Sequence, residues 1–308
     1  MKVLVLGATG YIGSAVVARL TREGHDVVPL VKNAAGPHSD TPVRVGDLAD
    51  PSSLRAAVTD DVDAVVNLAT PTGDEAVDTA ALEALVAPLR GTGRAYVYTS
   101  GVWVLGATGD TPLAEDAATD PIAIVGYRPR IEQRVLATAG DDVRAVVIRP
   151  GIAYGRGGGI PALMTGWARE HGAGRYVGPV TTRWPMVHVD DLAELYALAL
   201  TKAHAGHLLH GVAWESVPAV ALAAAADIAA GGTGRAEPWP IAEAAEALGE
   251  PFAEALALDQ VVSGRRAVEE LGWRPSRPYV LTELTELTEL TELTEPTDLP
   301  EPTGASRD

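Results

Sequence analysis

The chain opens on Lys2-Val3-Leu4-Val5-Leu6, an apolar run that breaks at once into Gly7-Ala8-Thr9-Gly10-Tyr11-Ile12-Gly13 and then into a helical pattern. A run this short and this apolar suits a strand buried on both faces of a parallel sheet. The glycines punctuate the turn that follows, where the N–H groups of a helix N-terminus can receive a diphosphate. Gly7 permits the tight turn, Gly10 lets the backbone approach the phosphates, and Gly13 lets the helix sit close to the strand. The spacing is G-x-x-G-x-x-G, not the better-known G-x-G-x-x-G. Its place between a strand and a helix still gives it the layout of a dinucleotide site.

Strand-like runs then alternate with helical patterns, the signature of a parallel sheet with crossover helices. The pattern predicts strands at 2–6, 26–31, 43–45, 63–68, 95–99 and 143–149, and helices at 11–23, 74–90 and 127–139, with a further helix opening at Asp50-Pro51. Gly24 reads as the stop of the first helix, and Pro29 predicts an irregularity in the second strand because it cannot donate to a ladder. After Arg149-Pro150-Gly151 the alternation fails. Residues 151–186 read as loops and short elements over a site, followed by helices at 191–202 and 217–230 around a strand near 207–210, and a last helix at 263–272. The expected architecture is therefore α/β: a doubly wound parallel sheet of the Rossmann type over 1–150, and a smaller C-terminal substrate lobe over 151–281, intertwined with the core.

Residues 282–296 repeat Thr-Glu-Leu four times and end on Thr-Glu-Pro. A three-residue period matches neither the helix nor the strand, and the acidic, proline-bearing composition makes 282–308 a disordered tail by default. That tail carries eight acids against Arg307, so −7 of the net charge of −17 belongs to it. A chain this acidic has no basic run to track nucleic acid. The absence of cysteine excludes thiolate chemistry, and the seven histidines form no metal-ligand pattern. No apolar run approaches the length of a membrane span, and the first apolar stretch is too short for a secretory signal. A cytoplasmic protein without a membrane or nucleic-acid partner is expected.

Seven short motifs in order give the chain its resemblance to the short-chain dehydrogenase/reductase superfamily, in its NAD-dependent epimerase/dehydratase-like, extended or atypical branch. They are the glycine turn, Gly46-Asp47-Leu48, Val65-Val66-Asn67-Leu68-Ala69, Tyr98-Thr99-Ser100-Gly101, Arg149 to Gly155, Val187 to Ala193, and Leu271-Gly272-Trp273-Arg274-Pro275. The resemblance implies a nicotinamide dinucleotide held by Gly7, Thr9, Gly10, Tyr11, Ile12, Gly13, Lys32, Asp47, Leu48, Leu68, Ala69, Arg128 and Pro150, together with a small-molecule substrate, and it leaves room for a homodimer. Asp47 reads either as an acceptor for the adenine amino group or as a turn-forming residue. At the end of the second strand, Leu30-Val31-Lys32-Asn33 offers a cation where an acid would select NADH. That favours NADP(H) over NAD(H), although a solvated Lys32 is compatible with either. Asp190 or Asp191 reads equally as a helix N-cap, and His188 as a packed residue more than an acid. Trp103, Trp167, Tyr176 and Trp184 offer an aromatic wall or simply core. Arg156 and Arg183 offer a grip on an acidic group or solvated surface.

Enzymes of this kind place Tyr and Lys four residues apart on one helix face, so that the phenol moves the proton that accompanies hydride transfer. With the register set by Glu132-Gln133-Arg134-Val135-Leu136, the tyrosine position is Ile124, the lysine position Arg128 and the second serine position Gly101. The customary pair is gone, and Arg128 stays protonated. The candidate proton sources that remain are Tyr127, Tyr154 and water held by Ser100. The expected activity is NAD(P)H-dependent reduction of a carbonyl or imine. Two alternatives stand beside it: a non-redox isomerase or dehydratase, and a regulatory protein that binds NADP(H) without turnover.

Overall fold

In the computed structural model, residues 1–33 and 42–292 are described. Seven parallel strands form the main sheet: β1 (Lys2–Leu6), β2 (Asp26–Val31), β3 (Arg44–Val45), β4 (Ala64–Asn67), β5 (Ala95–Thr99), β6 (Arg144–Pro150) and β10 (His207–Gly211). Their spatial order is β10-β6-β5-β4-β1-β2-β3. The chain thus leaves β1 toward β3 and then reverses through β4 to β10, which puts the topological switch, where such sheets bind ligands, between β1 and β4. Val3, Leu4, Val5 and Leu6 are all buried, as a strand covered on both faces requires.

One face is covered by α1 (Tyr11–Arg22) and α6 (Val189–Lys202), with Ala15, Val16 and Leu20 packed among Leu192, Tyr196 and Leu200. The other carries α2 (Pro51–Ala57), α3 (Glu75–Val86) and α4 (Arg128–Ala137), whose Leu54, Leu82, Leu85 and Ile131 meet Leu4, Leu6, Val65 and Tyr96. Each such fully buried leucine or isoleucine contributes about 2 kcal/mol of transfer free energy. Pro29 causes no irregularity. It pairs in register with Val5, and β3 reaches only Leu30 and Val31, so no strand on that side asks for its N–H.

The second lobe is richer than its glycines suggested. β7 (Ile152–Gly155), β9 (Arg183–His188) and β11 (Trp214–Pro218) form a three-stranded sheet, and β8 (Gly174–Val177) pairs with β12 (Ala236–Trp239). Around them lie α5 (Gly159–His171), α7 (Ala219–Ala229), α8 (Ile241–Leu248) and α9 (Glu250–Ala257), with α10 (Arg265–Leu271) beside β10. The reading of 151–186 as loops and short elements missed α5. Three glycines before it hid the spacing of Pro161, Met164, Thr165 and Ala168, which form its buried side.

The expectation of a disordered tail is also corrected in part. α11 (Val280–Glu292) carries the first repeats, and Val280 and Leu284 are buried in the core of the lobe beside Leu222 and Ala226 of α7. On a helix, a three-residue step drifts by only about 60°, so Leu281 and Leu284 both reach the core of the lobe. Residues 293–308 lie outside the described residues.

Candidate dinucleotide site

The glycine turn is shaped by backbone contacts. Gly7 has φ +72°, and a Cβ there would stand 2.5 Å from the Leu68 carbonyl oxygen. A Cβ on Gly13 would stand 1.9 Å from the carbonyl oxygen of Gly7, whereas one on Gly10 would be 3.2 Å from the same atom. The turn is thus wedged between α1 and the end of β4, with Thr9 and Gly10 exposed on its crest. α2 and α3 begin on Asp50 and Asp74, whose carboxylates accept from N–H groups of the first turn. α1 has neither a side-chain cap nor an acid in its first turn, so its leading N–H groups and positive dipole end are left for an anion. Ile12 packs on the core. The Tyr11 side chain turns away from the turn and donates to the Gly155 carbonyl oxygen at 2.8 Å, so its contribution to an anion is limited to the backbone.

At the far end, Lys32 Nζ lies 3.3 Å from Asp47 Oδ2. The other Asp47 oxygen accepts from Ala49 N at 3.0 Å, the turn-forming role weighed above. The Ala49 N–H, and then Lys32, hold this carboxyl below its usual range. Beside the neighbouring Leu48 a small cleft opens, lined also by Asn67, Ala69, Asp78, Leu82 and Tyr98 among others. Asn67, which the sequence reading left without a role, fixes the β4 exit. Its Oδ1 accepts from Ala69 N and its Nδ2 donates to the Tyr96 hydroxyl.

At the C-terminal end of β5, Arg128 donates to the Thr99 carbonyl oxygen and lies over the Tyr98 ring. Arg128 Nε and Ser100 Oγ are buried and make no hydrogen bond among the described residues. Tyr127 is placed otherwise than its candidacy required. Its hydroxyl donates to Asp78 and accepts from Gly73 N at 3.1 Å, and burial followed by the Asp78 contact pushes the phenol up. Tyr154 is likewise committed: it donates to the Pro278 carbonyl oxygen at 2.7 Å and accepts from Trp214 Nε1 at 3.1 Å. Thr99 is bonded to the Tyr196 hydroxyl at 2.6 Å. Ser100 is the hydroxyl left over.

The lost pair is also lost in geometry. α4 starts at Arg128, with Pro129 in its first turn, and Ile124 sits outside it in a 3-10 turn, 43% exposed. The two positions no longer share one helix. Gly101 is extended, and a Cβ there would meet nothing within 4 Å, so the missing second serine reflects no lack of space. Pro150 ends β6, buried.

The remaining candidates are structural. His188, not Asp190 or Asp191, caps α6, its Nδ1 accepting from Asp190 N at 3.0 Å. Asp191 accepts from Ser276 N and Arg277 N. Arg156 pairs with Asp190, and Arg183 with Asp110 and Asp259. Trp184 is core, while Trp103, Trp167 and Tyr176 pack against it partly buried.

A nicotinamide dinucleotide fits these residues on three counts. The uncapped N-terminus of α1 suits its diphosphate. The Lys32 cation suits a 2′-phosphate. Two unpartnered buried polar groups, a hydroxyl and a guanidinium N–H, suit ribose or substrate hydroxyls at the end of β5.

Comparison with known proteins agrees with this geometry. A model of the NAD dependent epimerase/dehydratase family matches residues 3–210. An uncharacterized protein of Schizosaccharomyces pombe, C2A9.02, is 33% identical over 307 residues, covering 92% of this chain and 98% of that protein. A 3-diazoavenalumate denitrifying reductase of a Streptomyces species is 31% identical over 312 residues, 90% of this chain and 97% of that protein. The crystal structure of human epimerase family protein SDR39U1 (isoform 2) with NADPH superposes with a TM-score of 0.72 at 26% identity, covering 94% of this chain and 99% of that one.

Proposed function

We propose that this chain, which belongs to the NAD-dependent epimerase/dehydratase family, uses NADPH to reduce a carbonyl or imine group of a small molecule. The observation that carries the reading is the pair of unpartnered buried groups, Ser100 Oγ and Arg128 Nε, at the end of β5, on the same edge of the sheet as the glycine turn and one strand removed from it. Support comes from the NADPH complex of the SDR39U1 structure and from the name of the Streptomyces reductase. When bound, NADPH is the reductant, a hydride donor to an electrophilic carbon. Arg128 keeps a fixed positive charge beside that end of the site and holds polar groups there with the donors it does not spend on Thr99. Ser100, whose hydroxyl is uncommitted where those of Tyr127, Tyr154 and Thr99 are bonded, passes its proton to a developing alkoxide directly or through water. An imine that arrives protonated needs no such transfer. Ile124 and Gly101 supply apolar surface and room where the family's reaction centre carries a phenol and a hydroxyl.

The test is NADPH consumption in the presence of a panel of ketones, aldehydes and cyclic imines, run beside a fluorescence titration of the cofactor. Consumption with at least one class, lowered about tenfold or more by Ser100→Ala for a neutral carbonyl, supports the reading. Tight binding with no consumption across the panel, or equal turnover of a neutral carbonyl in the Ser100→Ala protein, overturns it.

A further inference from the structure

The Thr-Glu-Leu helix has a use that its composition did not suggest. Glu283 Oε2 stands 3.2 Å from His188 Nε2 and makes no aligned hydrogen bond, although it is buried. The other ring nitrogen, Nδ1, accepts from Asp190 N, so the proton of a neutral ring sits on Nε2, facing the carboxylate. The same Nε2 edge lies against Gly155, where a Cβ would approach it to 2.2 Å. Gly155, at φ +104°, begins a tight hairpin closed by its bridge to Gly158, and its carbonyl oxygen accepts the Tyr11 hydroxyl. The Tyr11 ring fills the space beside Gly158, where a Cβ would stand 2.4 Å from Cε2. Tyr11 is the first residue of α1, directly after Gly10. A continuous path of contacts therefore runs from α11 through His188 and the Gly155 hairpin to the uncapped N-terminus proposed to hold the diphosphate.

We propose that Glu283 is a positioning residue for the dinucleotide site: through His188 and Gly155 it holds Tyr11, and with it the leading N–H groups of α1, in register with the cofactor. This assignment presupposes the NADPH site proposed above. The docking of α11 is built to transmit such a hold. Val280 and Leu284 anchor the helix in the lobe, and the segment before it is tied down by Asp191 to Ser276 N and Arg277 N. A strap that only covered the lobe would not need a carboxylate turned inward at 17% side-chain exposure.

The experiment is a titration of NADPH by fluorescence on the full chain, with thermal melting recorded for each variant. Glu283→Ala is expected to weaken NADPH about fivefold or more, the low end of coupling between linked sites. Glu283→Gln, whose amide oxygen keeps an acceptor facing Nε2, recovers most of the affinity. Tyr11→Phe weakens binding similarly, and the double variant loses little more than either single one, because both break one path. Leu284→Ala lowers the melting temperature with a smaller effect on affinity than Glu283→Ala. Unchanged affinity in Glu283→Ala, or additive losses in the double variant, overturns the assignment while leaving the cofactor reading intact. Failure of the wild-type chain to bind NADPH overturns both.

Discussion

Lys32 sits at the end of β2 with its side chain 75% exposed, and among the described residues it pairs with Asp47. An ion pair so open to water is worth at most about 1 kcal/mol, so a 2′-phosphate, with more charge and three acceptor oxygens, can draw the ammonium away from the carboxylate. Asp47 loses little in the exchange, since its other oxygen stays on Ala49 N. Replacing Lys32 by alanine is therefore expected to weaken NADPH by up to about fivefold, within the range of one screened exposed contact, and to leave NADH nearly unchanged. Fluorescence titrations with the two cofactors, at low and at high salt, read this directly. An equal loss for both would show that Lys32 does not read the 2′-phosphate. Single residues were legible in the sequence to different depths. Gly7 and Gly13 could be assigned because their roles are backbone geometry, which glycine announces. Tyr127 and Tyr154 could not, because a phenol's role depends on partners that come from elsewhere in the chain, such as Asp78 and Pro278.

At the scale of elements, the strand–turn–α1 unit is the most tightly specified part of the molecule. A methyl at Gly13 meets a backbone oxygen at 1.9 Å, with no flexible side chain to give way. Gly13→Ala must push α1 off the turn, so it is expected to abolish NADPH binding and to cost on the order of 1–3 kcal/mol as an overpacked contact. Gly10→Ala, at 3.2 Å from the same oxygen, needs a shift of only a few tenths of an ångström and should keep the fold. Urea melts and cofactor titrations of the two variants test the contrast, and similar behaviour would contradict it. This unit was readable from sequence because its signals are local: an apolar run, fixed glycine positions, and the helical pattern that follows them. The strands of the main sheet were readable for the same reason, to within a few residues at each end, whereas those of the second lobe were not. Where glycine serves tertiary close approach instead, the signal inverts. Gly155, Gly157 and Gly159 all have positive φ on the way into α5, which Gly159 begins, and they made a helical segment look like loop. α11 inverted it in another way. Its three-residue period predicts no continuous stripe, yet a helix needs only Val280 and Leu284, four residues apart, to dock.

Across the whole molecule, one buried polar network ties together parts of the chain that no local pattern connects. Arg149 on β6 makes a bidentate pair with Glu132 on α4, at 2.6 and 3.0 Å, and both side chains are almost wholly buried. His210 on β10 lies beside them, its Nε2 3.5 Å from Arg149 Nη1 and its Nδ1 3.0 Å from the Ser263 carbonyl oxygen. Its backbone N–H donates to Glu115, which Arg266 approaches at 3.5 Å. With Nδ1–H donated to Ser263 and Nε2 turned to a guanidinium, the ring is held neutral. Burial first, and then Arg149, push its pKa down to about 3. The unfolded chain has an ordinary histidine there. Between pH 6.5 and 3 the unfolded state therefore binds a proton that the folded state refuses, and the stability present above pH 6.5 is lost as pH falls, by up to about 1.4 kcal/mol per unit. Glu115 works in the opposite sense. Burial pushes its carboxyl up, so the folded state takes its proton first and regains part of the loss just above the usual carboxylate range. Burial also pushes His207 down, so it adds to the loss between pH 7 and 5, where the urea midpoint of the wild-type protein should fall, and it does so equally in a variant changed only at His210. His210→Gln keeps a donor for Ser263 but has no ring to titrate. It should be less stable at pH 7 yet lose about 1 to 2 kcal/mol less than the wild type over that window. Parallel stability curves for the two proteins would mean that the proton uptake of acid unfolding occurs at other groups, and that the network joining α4, β6 and β10 does not set the acid limit of the fold.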